Sequence, residues 1–246
     1  MEVSAVLITR NEEKNLPRVL KELHWCEEIV VVDSGSTDNT IQIAHQFGAR
    51  VLHHEFKDFS DQKNFADQNA SHNWILALDA DEVPSSILAT SLREIKDHGT
   101  AFNAYQFSRK AFYLGKWINH SGWYPDKKIR FYDRRRVRWT GRVHESITFD
   151  GAVGELDGDL LHYTCQSLAE HILTTDQYTT LAAREFLDNG HQPNIVSMVF
   201  SPPWAFVRSY FIKLGFLDGL HGFTIAFMSA FYVFIKHTKI WRFNSK

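Results

Sequence analysis

The amino-acid sequence predicts an α/β protein built on a mostly parallel central sheet. Short apolar runs of strand length alternate with segments of helical periodicity from residue 3 to residue 79. Strand–helix–strand order implies parallel pairing through right-handed crossovers. The apolar runs end in polar or acidic residues, and ligands bind beyond the carboxyl ends of the strands in open sheets of this kind. The first half of the chain therefore has the outline of a nucleotide-binding domain.

The strands and helices of this half are marked by their residue patterns. β-Branched and apolar runs predict strands at residues 3–9, 29–32, 50–52 and 74–79. Apolar residues at helical spacing predict helices over residues 11–23, 41–47 and 60–73. Gly48 is expected to end the second of these helices.

Bulk composition limits the function. The chain has 246 residues, 44% of them hydrophobic and 23% charged, which suffices for one well-filled α/β domain with an appendage. Its formal net charge of −2 gives no reason to expect a nucleic-acid partner. Cys26 and Cys165 lie far apart without metal-ligand spacing, and the N-terminus enters a strand without a secretory signal. We therefore expect a cytoplasmic protein.

The stretch from Trp74 to Glu82 is the most informative in the sequence. A buried strand is predicted to end in three carboxylates, Asp79, Asp81 and Glu82. Alternation along an extended chain points Asp79 and Asp81 to the same side, where they could share one divalent cation. Carboxylate oxygens suit Mg²⁺ or Mn²⁺, which usually complete their coordination with substrate phosphates. The alternative interpretation is an acidic helix N-terminus over residues 82–86.

Asp33 and Lys63 are further candidates for binding a nucleotide. Asp33 follows the second predicted strand, where a carboxylate can accept hydrogen bonds from a ribose or a base. The polar turn 34–38 could surround nucleotide atoms, or it could simply cap the following helix. Lys63 lies in the helix before the acidic strand and could face the donor nucleotide, although a lone lysine on a helix is commonly solvated.

Three segments resemble the inverting glycosyltransferase family 2: Thr9–Glu13, Val32–Thr40 and Leu78–Glu82. They occur in that order over about the first hundred residues, and together they are specific although each alone is weak. The resemblance implies a single Rossmann-like domain that binds a nucleotide-sugar donor. It assigns Asn11 or Glu12, with Asp33, to the nucleoside, and Asp79 and Asp81 to the diphosphate through the metal.

Within that family the sequence is most similar to the lipopolysaccharide core β-1,4-glucosyltransferases. The similarity continues in Gly141–Glu145 and in Gly215–Gly219. It implies transfer of a hexose, glucose from UDP-glucose, to a hydroxyl of a lipid-linked oligosaccharide acceptor. The exact donor and acceptor are implied by the resemblance alone.

The middle of the chain is expected to form the acceptor side of the site. Residues 102–107, 128–132 and 138–139 have strand-like patterns. A cationic stretch, residues 127–138, could bind phosphate groups, or it could be a solvated basic face. Arg130 lies between apolar neighbours and is the arginine expected to point inward, towards the donor. The aromatic residues of this region could stack on sugars or pack in the core.

Inversion requires a general base that removes the proton of the acceptor hydroxyl. Glu145 is the candidate, with His144 beside it to orient the carboxylate or bind an acceptor hydroxyl. Asp126 is the rival base, and a salt bridge is the structural alternative for Glu145. His162 ends another apolar strand, where it could be a third metal ligand or a core histidine.

The C-terminal part of the chain differs in composition. We expect a helix over residues 167–189, a chain break at Ser201–Pro203, and amphipathic helices that are basic and rich in aromatic residues. The uncharged stretch 222–235 is shorter than the roughly 20 residues that cross a bilayer. Such helices favour the interface of an anionic membrane, and the alternative is packing on the domain or in an oligomer.

The sequence thus predicts a catalytic domain over residues 1–189 and a helical membrane-surface appendage over residues 190–246. Residues 1–100 form the predicted donor half of the domain and residues 101–165 the acceptor half. The predicted enzyme is a divalent-metal-dependent hexosyltransferase in peripheral contact with the inner face of the cell membrane. Three alternatives stay open: transfer of another sugar to another glycan or lipid-linked acceptor, a nucleotidyltransferase, and a non-catalytic, membrane-peripheral carbohydrate-binding protein. A nucleotidyltransferase would need a glycine-rich, basic loop after the first strand to bind a triphosphate. This chain has Thr9–Glu13 there instead.

Overall fold

The computed structural model describes residues 1–141 and 146–244. These residues form two compact units. The first unit consists of Met1–Arg109 with Lys127–His162, and the second of Lys110–Asp126 with the chain from Tyr163 onward. The helix that follows Tyr163 therefore belongs to the same compact unit as the C-terminal helices, and the units do not coincide with the predicted division at residue 189. That functional division stays a prediction.

Eleven strands occur within the described residues. In chain order they are β1 (Val3–Thr9), β2 (Glu28–Asp33), β3 (Arg50–His53), β4 (Trp74–Asp79), β5 (Glu82–Pro84), β6 (Ala104–Tyr113), β7 (Lys116–Trp117), β8 (Asp126–Asp133), β9 (Val137–Thr140), β10 (Ser146–Phe149) and β11 (Gly154–Cys165). The α-helices of the same residues are α1 (Leu16–Lys21), α2 (Thr40–Gln46), α3 (Phe59–Asn69), α4 (Ser86–His98), α5 (Leu168–Asp188), α6 (Ile195–Val207) and α7 (Leu220–Asn244).

The predicted α/β class and its parallel strands are confirmed. The main sheet has the strand order β3-β2-β1-β4-β8-β6-β11-β5, and the pairs from β3 to β4 are parallel. Beyond β4 the sheet continues with an antiparallel partner, β8, and ends in the antiparallel pair of β11 and β5. Strands β1, β2 and β4 are nearly continuous apolar runs that are largely buried, whereas the edge strand β3 is exposed at Arg50 and His53.

The strand register brings the predicted motifs to one edge of the sheet. Thr9 pairs with Asp33 across β1 and β2, and Ile8 pairs with Asp79 across β1 and β4. Parallel strands end at the same edge, so the Asp33 and Asp79 carboxylates lie on either side of the carboxyl end of β1. Neighbouring strands in a sheet are about 5 Å apart. This is the arrangement that the polar ends of the apolar runs predicted.

Two local predictions about this edge were incomplete. Glu82 lies in the short strand β5, so the helix after the acidic stretch begins later than the alternative interpretation expected. Its N-cap is Ser85, whose Oγ accepts a hydrogen bond from the N–H of Leu88 at 3.3 Å. Asp81 lies in the turn between β4 and β5 instead of in an extended continuation of β4. The alternation argument for Asp79 and Asp81 therefore does not apply beyond Asp79.

The second unit contains α5, α6 and α7 together with a π-helical segment, Arg208–Ile212, and a short 3₁₀ helix, Gly215–Asp218. The predicted break at Ser201–Pro203 is wrong because Pro202 and Pro203 lie inside α6. Proline fixes φ at a value that a helix accepts, so the chain can continue although neither proline donates a hydrogen bond to the preceding turn. Among the helices of the described residues, none combines the length and the apolar character that crossing a bilayer would require.

Candidate active site

The loops after β1 and β2 are joined by polar side chains. Asn11 has a left-handed backbone with φ of 58°. Its Oδ1 accepts a hydrogen bond from the N–H of Thr37 at 2.8 Å, and its own N–H donates to Oγ of Ser36 at 2.9 Å. Glu12 donates its N–H to Oγ1 of Thr40 at 2.7 Å. These contacts hold the first two predicted nucleoside-binding loops in one fixed arrangement.

Asp33 shapes the turn that follows β2. Its carboxylate is buried and accepts hydrogen bonds at 2.9 Å from the N–H groups of both Gly35 and Ser36. The hydroxyl groups of Ser36 and Thr9 donate to the same carboxylate. Asp33 therefore lies where the sequence predicted, and within the protein it orients the loop. Its contact with a nucleoside stays a prediction.

Asp79 is held between two buried cations at the end of β4. Lys63 Nζ lies 2.9 Å from Asp79 Oδ1, and Arg130 Nη2 donates to Asp79 Oδ2 at 2.8 Å. Lys63 and Arg130 are each only 3% exposed, so Lys63 is not the solvated lysine of the alternative interpretation and Arg130 points inward as predicted. Burial alone would raise the pKa of Asp79, but these two charges outweigh burial and hold that pKa well below its usual range.

Glu82 extends this cluster into the protein. Its carboxylate is fully buried, and Oε1 lies 3.1 Å from a guanidinium nitrogen of both Arg130 and Arg109. The second oxygen accepts the N–H of Asp79 at 3.1 Å. Burial raises the pKa of Glu82, but the two guanidinium groups outweigh it and hold that pKa below its ordinary value. A buried, paired carboxylate of this kind fixes the positions of the side chains around it.

Asp81 has a different partner from Asp79. Its Oδ2 lies 3.1 Å from Nε2 of His162, a residue that pairs with Glu82 across β11 and β5. Burial alone would lower the pKa of His162, but the Asp81 carboxylate raises it above its ordinary value. His162 and Asp81 are thus adjacent, while Asp79 is engaged by Lys63 and Arg130, and the role of these side chains as metal ligands stays a prediction. Within residues 1–141 and 146–244, no three His, Cys, Asp or Glu side chains are grouped closely enough to hold a metal ion.

Acidic side chains are concentrated around Glu12 at this edge of the sheet. The pKa of Glu12 is raised, first by its burial and then by the nearby carboxylates of Asp81, Asp38 and Asp79. A divalent ion would offset this repulsion, and carboxylate oxygens are ligands that Mg²⁺ and Mn²⁺ prefer. Within the described residues, Asp81 and His162 are the two adjacent side chains that could contact such an ion, and its remaining ligands would have to come from elsewhere.

Trp139 lies beside the two cations that hold Asp79. Lys63 Nζ is 4.6 Å and Arg130 Cζ is 5.5 Å from the centre of its ring, distances typical of cation–π contacts. The indole Nε1 donates to Oη of Tyr132 at 2.8 Å, and Tyr132 donates to the buried carboxyl of Asp67. This chain of contacts fixes the ring orientation, and its only signal in the sequence is the aromatic character of Trp139.

The predicted base and its neighbour are outside the part of the chain that the structure describes. Glu145 and His144 belong to residues 142–145, which follow β9 and precede β10. Asp126, the rival base, is the first residue of β8.

Arg109 is a residue of the charge cluster that sequence reasoning missed, because nothing in its own segment marks it. Its position on β6, with the buried Glu82 as a partner, becomes visible only in the folded chain.

The parallel strands with acidic ends, the joined polar loops and the buried cations define an α/β protein with a charged, polar edge at the carboxyl ends of its parallel strands. The model of the family described as "Glycosyl transferase family 2" matches residues 4–157 of the chain. This range includes every strand of the candidate site up to the start of β11. The chain belongs to glycosyl transferase family 2, as the resemblance of its motifs predicted, and it is accordingly a glycosyltransferase.

Relatives in other organisms match nearly the whole chain. The lipopolysaccharide core biosynthesis glycosyltransferase LpsC of Rhizobium meliloti (strain 1021) is 31% identical over 248 residues, which are 98% of this chain and 92% of LpsC. An uncharacterized glycosyltransferase of Rickettsia typhi is 26% identical and covers 99% of this chain and 88% of its own. The crystal structure of S. aureus TarS 1-349 with UDP-GlcNAc has a TM-score of 0.51 at 15% identity, covering 100% of this chain and 92% of TarS, and shares the fold.

Proposed function

We propose that this protein is an inverting glycosyltransferase of lipopolysaccharide core biosynthesis. In this proposal it transfers a hexose, glucose from UDP-glucose, to a hydroxyl of a lipid-anchored core oligosaccharide. The observation that carries the proposal is the 31% identity with LpsC across almost the full length of both chains. A lipid-anchored acceptor would bring the enzyme into peripheral contact with the inner face of the cell membrane.

The donor would bind at the carboxyl edge of the parallel strands. Asn11 or Glu12 would contact the nucleoside together with Asp33, since their loops are joined at this edge. Asp81, with His162 beside it at 3.1 Å, would hold Mg²⁺ or Mn²⁺. When bound, such an ion supplies positive charge that stabilises the departing diphosphate.

Lys63 and Arg130 would act mainly through Asp79. They keep its carboxylate ionised and fixed at the end of β4, so that it can contribute to binding the donor through the ion. The charged ends of both cations are buried against Asp79, and the direct donor contact that the sequence suggested for them stays a prediction. Preorganised charges of this kind stabilise a transition state without reorganising during the reaction.

The base in this proposal is Glu145, with Asp126 as the alternative. The carboxylate would accept the proton of the acceptor hydroxyl, whose oxygen attacks the anomeric carbon opposite the leaving diphosphate. His144 would orient the carboxylate or the acceptor. This geometry inverts the configuration at the anomeric carbon and requires no covalent intermediate with the protein.

The test is the release of nucleoside diphosphate by the purified full-length chain from a panel of UDP sugars, with and without core oligosaccharide. With UDP-glucose, Mn²⁺ and acceptor we expect release that a chelator abolishes. Asp81→Asn should lower kcat/KM by at least about 100-fold, because an ion ligand is lost. Glu94→Gln, an exposed carboxylate on α4, should leave it unchanged.

Three outcomes distinguish the alternatives. Release from another UDP sugar alone would replace glucose with that sugar. Binding of oligosaccharide without release from any donor would favour a non-catalytic carbohydrate-binding protein. Full activity of Asp81→Asn in the presence of chelator would refute the proposed role of a divalent ion.

A further inference from the structure

The last helix leaves one apolar face uncovered. The large exposed side chains of α7 are Leu220, Phe223, Phe227, Phe234 and Trp241. At 3.6 residues per turn they fall within an arc of about 60°. The buried residues of α7, which include Ile225 and Met228, lie on the other side, where the helix packs on α5 and α6. The face is therefore a regular stripe and not a set of scattered exposed residues.

Helix α6 and the π-helical segment extend this stripe. Phe200 and Trp204 on α6 are 68% and 58% exposed, and Phe211 in the π-helical segment is 55% exposed. The ring of Tyr210 contacts Phe211 at 5.1 Å and Phe223 of α7 at 5.9 Å between ring centres. We call the surface formed by Phe200, Trp204, Phe211, Leu220, Phe223 and Phe227 the apolar face. Contiguous exposed surfaces of this type mark interaction sites.

The residues that follow Gly190 carry mainly positive charge, although Lys239 is paired with Asp176 of α5 at 2.7 Å. Six lysines and arginines follow Gly190 in the sequence, against a single acid, Asp218. Asp218 is buried and accepts hydrogen bonds from the N–H groups of Asn119 at 3.3 Å and His120 at 2.8 Å. It therefore adds no negative charge to the surface. Arg208 and Lys213 are exposed at either end of the π-helical segment.

The 3₁₀ helix and the start of α7 are held rigidly below this face. A Cβ at Gly222 would lie 1.8 Å from the carbonyl oxygen of Gly215, so the two segments approach closely enough to exclude any side chain. Together with the hydrogen bonds to the buried Asp218, this contact fixes the backbone at the start of α7, which carries Leu220 and Phe223. A rigid face loses little conformational entropy when it binds.

We propose that the apolar face enters the interfacial region of a lipid bilayer rich in anionic headgroups. Aromatic and leucine side chains with lysine and arginine beside them bind at that depth, with the helices parallel to the membrane plane. A second copy of the chain fits less well, because it would bring like charges together. The proposal deepens the proposed function and rests on it for the lipid-anchored acceptor, but lipid binding is measurable without donor or acceptor.

The experiment is co-sedimentation of the full-length protein with vesicles of phosphatidylcholine alone or with added phosphatidylglycerol. We expect binding to the anionic vesicles that weakens as salt is added. The triple variant Trp204→Ser, Leu220→Ser, Phe227→Ser should bind at least about tenfold more weakly, because three buried apolar contacts are lost. The control is Ile87→Ser on α4, where the isoleucine is 62% exposed, and it should bind like the wild type.

A second pair of variants tests the charges. Arg208→Gln with Lys213→Gln should reduce binding to anionic vesicles but not to neutral ones, whereas Lys21→Gln on α1 should change neither. No binding of the wild type to anionic vesicles, or equal binding of the triple variant, would overturn the proposal. So would conversion of a dimer to a monomer by the triple variant in sedimentation velocity without any vesicle binding. The triple variant should still release UDP from the donor, because donor turnover does not require lipid. Loss of vesicle binding with retained UDP release would therefore concern the apolar face and not the proposed function.

Discussion

The buried carboxyl of Asp67 gives a stability prediction with a definite sign. Its two oxygens accept hydrogen bonds from Tyr132 Oη at 3.0 and 2.9 Å. Burial, the largest effect, raises the pKa of Asp67 from its ordinary value of 3.8 to about 7. Replacement by asparagine keeps the shape and an accepting oxygen, and it mimics the protonated acid. Asp67→Asn therefore removes the titration while preserving the contact with Tyr132.

The size of the effect follows from the two pKa values. Because the pKa of the folded state lies above that of the unfolded state, the native protein holds a proton that the unfolded chain releases. The contribution to stability is fully present below pH 3.8 and is lost as the pH rises through about 7. The interval between these values corresponds to about 4 kcal/mol.

The assay is urea unfolding of the wild type and Asp67→Asn at about pH 5 and about pH 8. The free energy of unfolding of the variant, relative to the wild type, should increase by about 2.5 kcal/mol between these conditions. A difference that stays constant across this range would refute the raised pKa. A smaller difference at about pH 8 than at about pH 5 would reverse the sign of the argument.

Glu28→Gln is a control with the opposite sign. Burial raises the pKa of Glu28, but hydrogen bonds from Ser4, Ser71 and Arg50 outweigh burial and hold that pKa at about 2. Its contribution to stability is present above the ordinary carboxyl pKa and is lost as the pH falls towards about 2. The stability of Glu28→Gln relative to the wild type should therefore fall as the pH rises from about 2 towards neutral, whereas that of Asp67→Asn should rise between about pH 5 and about pH 8.

Two further substitutions test the packing of each unit. Arg130→Met should lower the free energy of unfolding by about 3 to 5 kcal/mol, because Asp79 and the fully buried Glu82 lose a shared cation. Arg136→Met, an exposed site, should cost less than about 0.5 kcal/mol, and equal losses would refute the role of the cluster. Gly222→Ala should cost about 1 to 3 kcal/mol by crowding the 3₁₀ helix, and an unchanged urea midpoint would show that the segments can separate.

The sequence predicted the edge of the site because strand ends are local signals. Asp33 and Asp79 each follow an apolar run, and parallel pairing alone brings those ends together. The ion pairs around Asp79 could not be predicted in the same way. Lys63, Arg109 and Arg130 come from separate segments, and only the tertiary fold decides which carboxylate each one meets.

The break expected at Pro202 and Pro203 and the shared orientation expected for Asp79 and Asp81 were both wrong, each for a local structural reason. The break expected at Pro202 and Pro203 reflects a local preference that the surrounding helical segment overrides. The alternation argument for Asp81 assumed that β4 continues, whereas a turn begins after Asp79. His162 was left open between a metal ligand and a core residue, and its position beside Asp81 depends on the antiparallel pair of β11 and β5.

The ion pairs of the Asp79 carboxylate with Lys63 and Arg130 have a thermodynamic consequence for ligand binding. Because Lys63 and Arg130 already balance its charge, a Mn²⁺ ion bound as we propose would find few protein ligands beyond Asp81 and His162 before the donor arrives. The phosphate oxygens of the donor would then have to supply much of the coordination, and each ligand would increase the affinity for the other by the same factor. We expect Mn²⁺ and UDP together to raise the melting temperature by more than the sum of their separate effects.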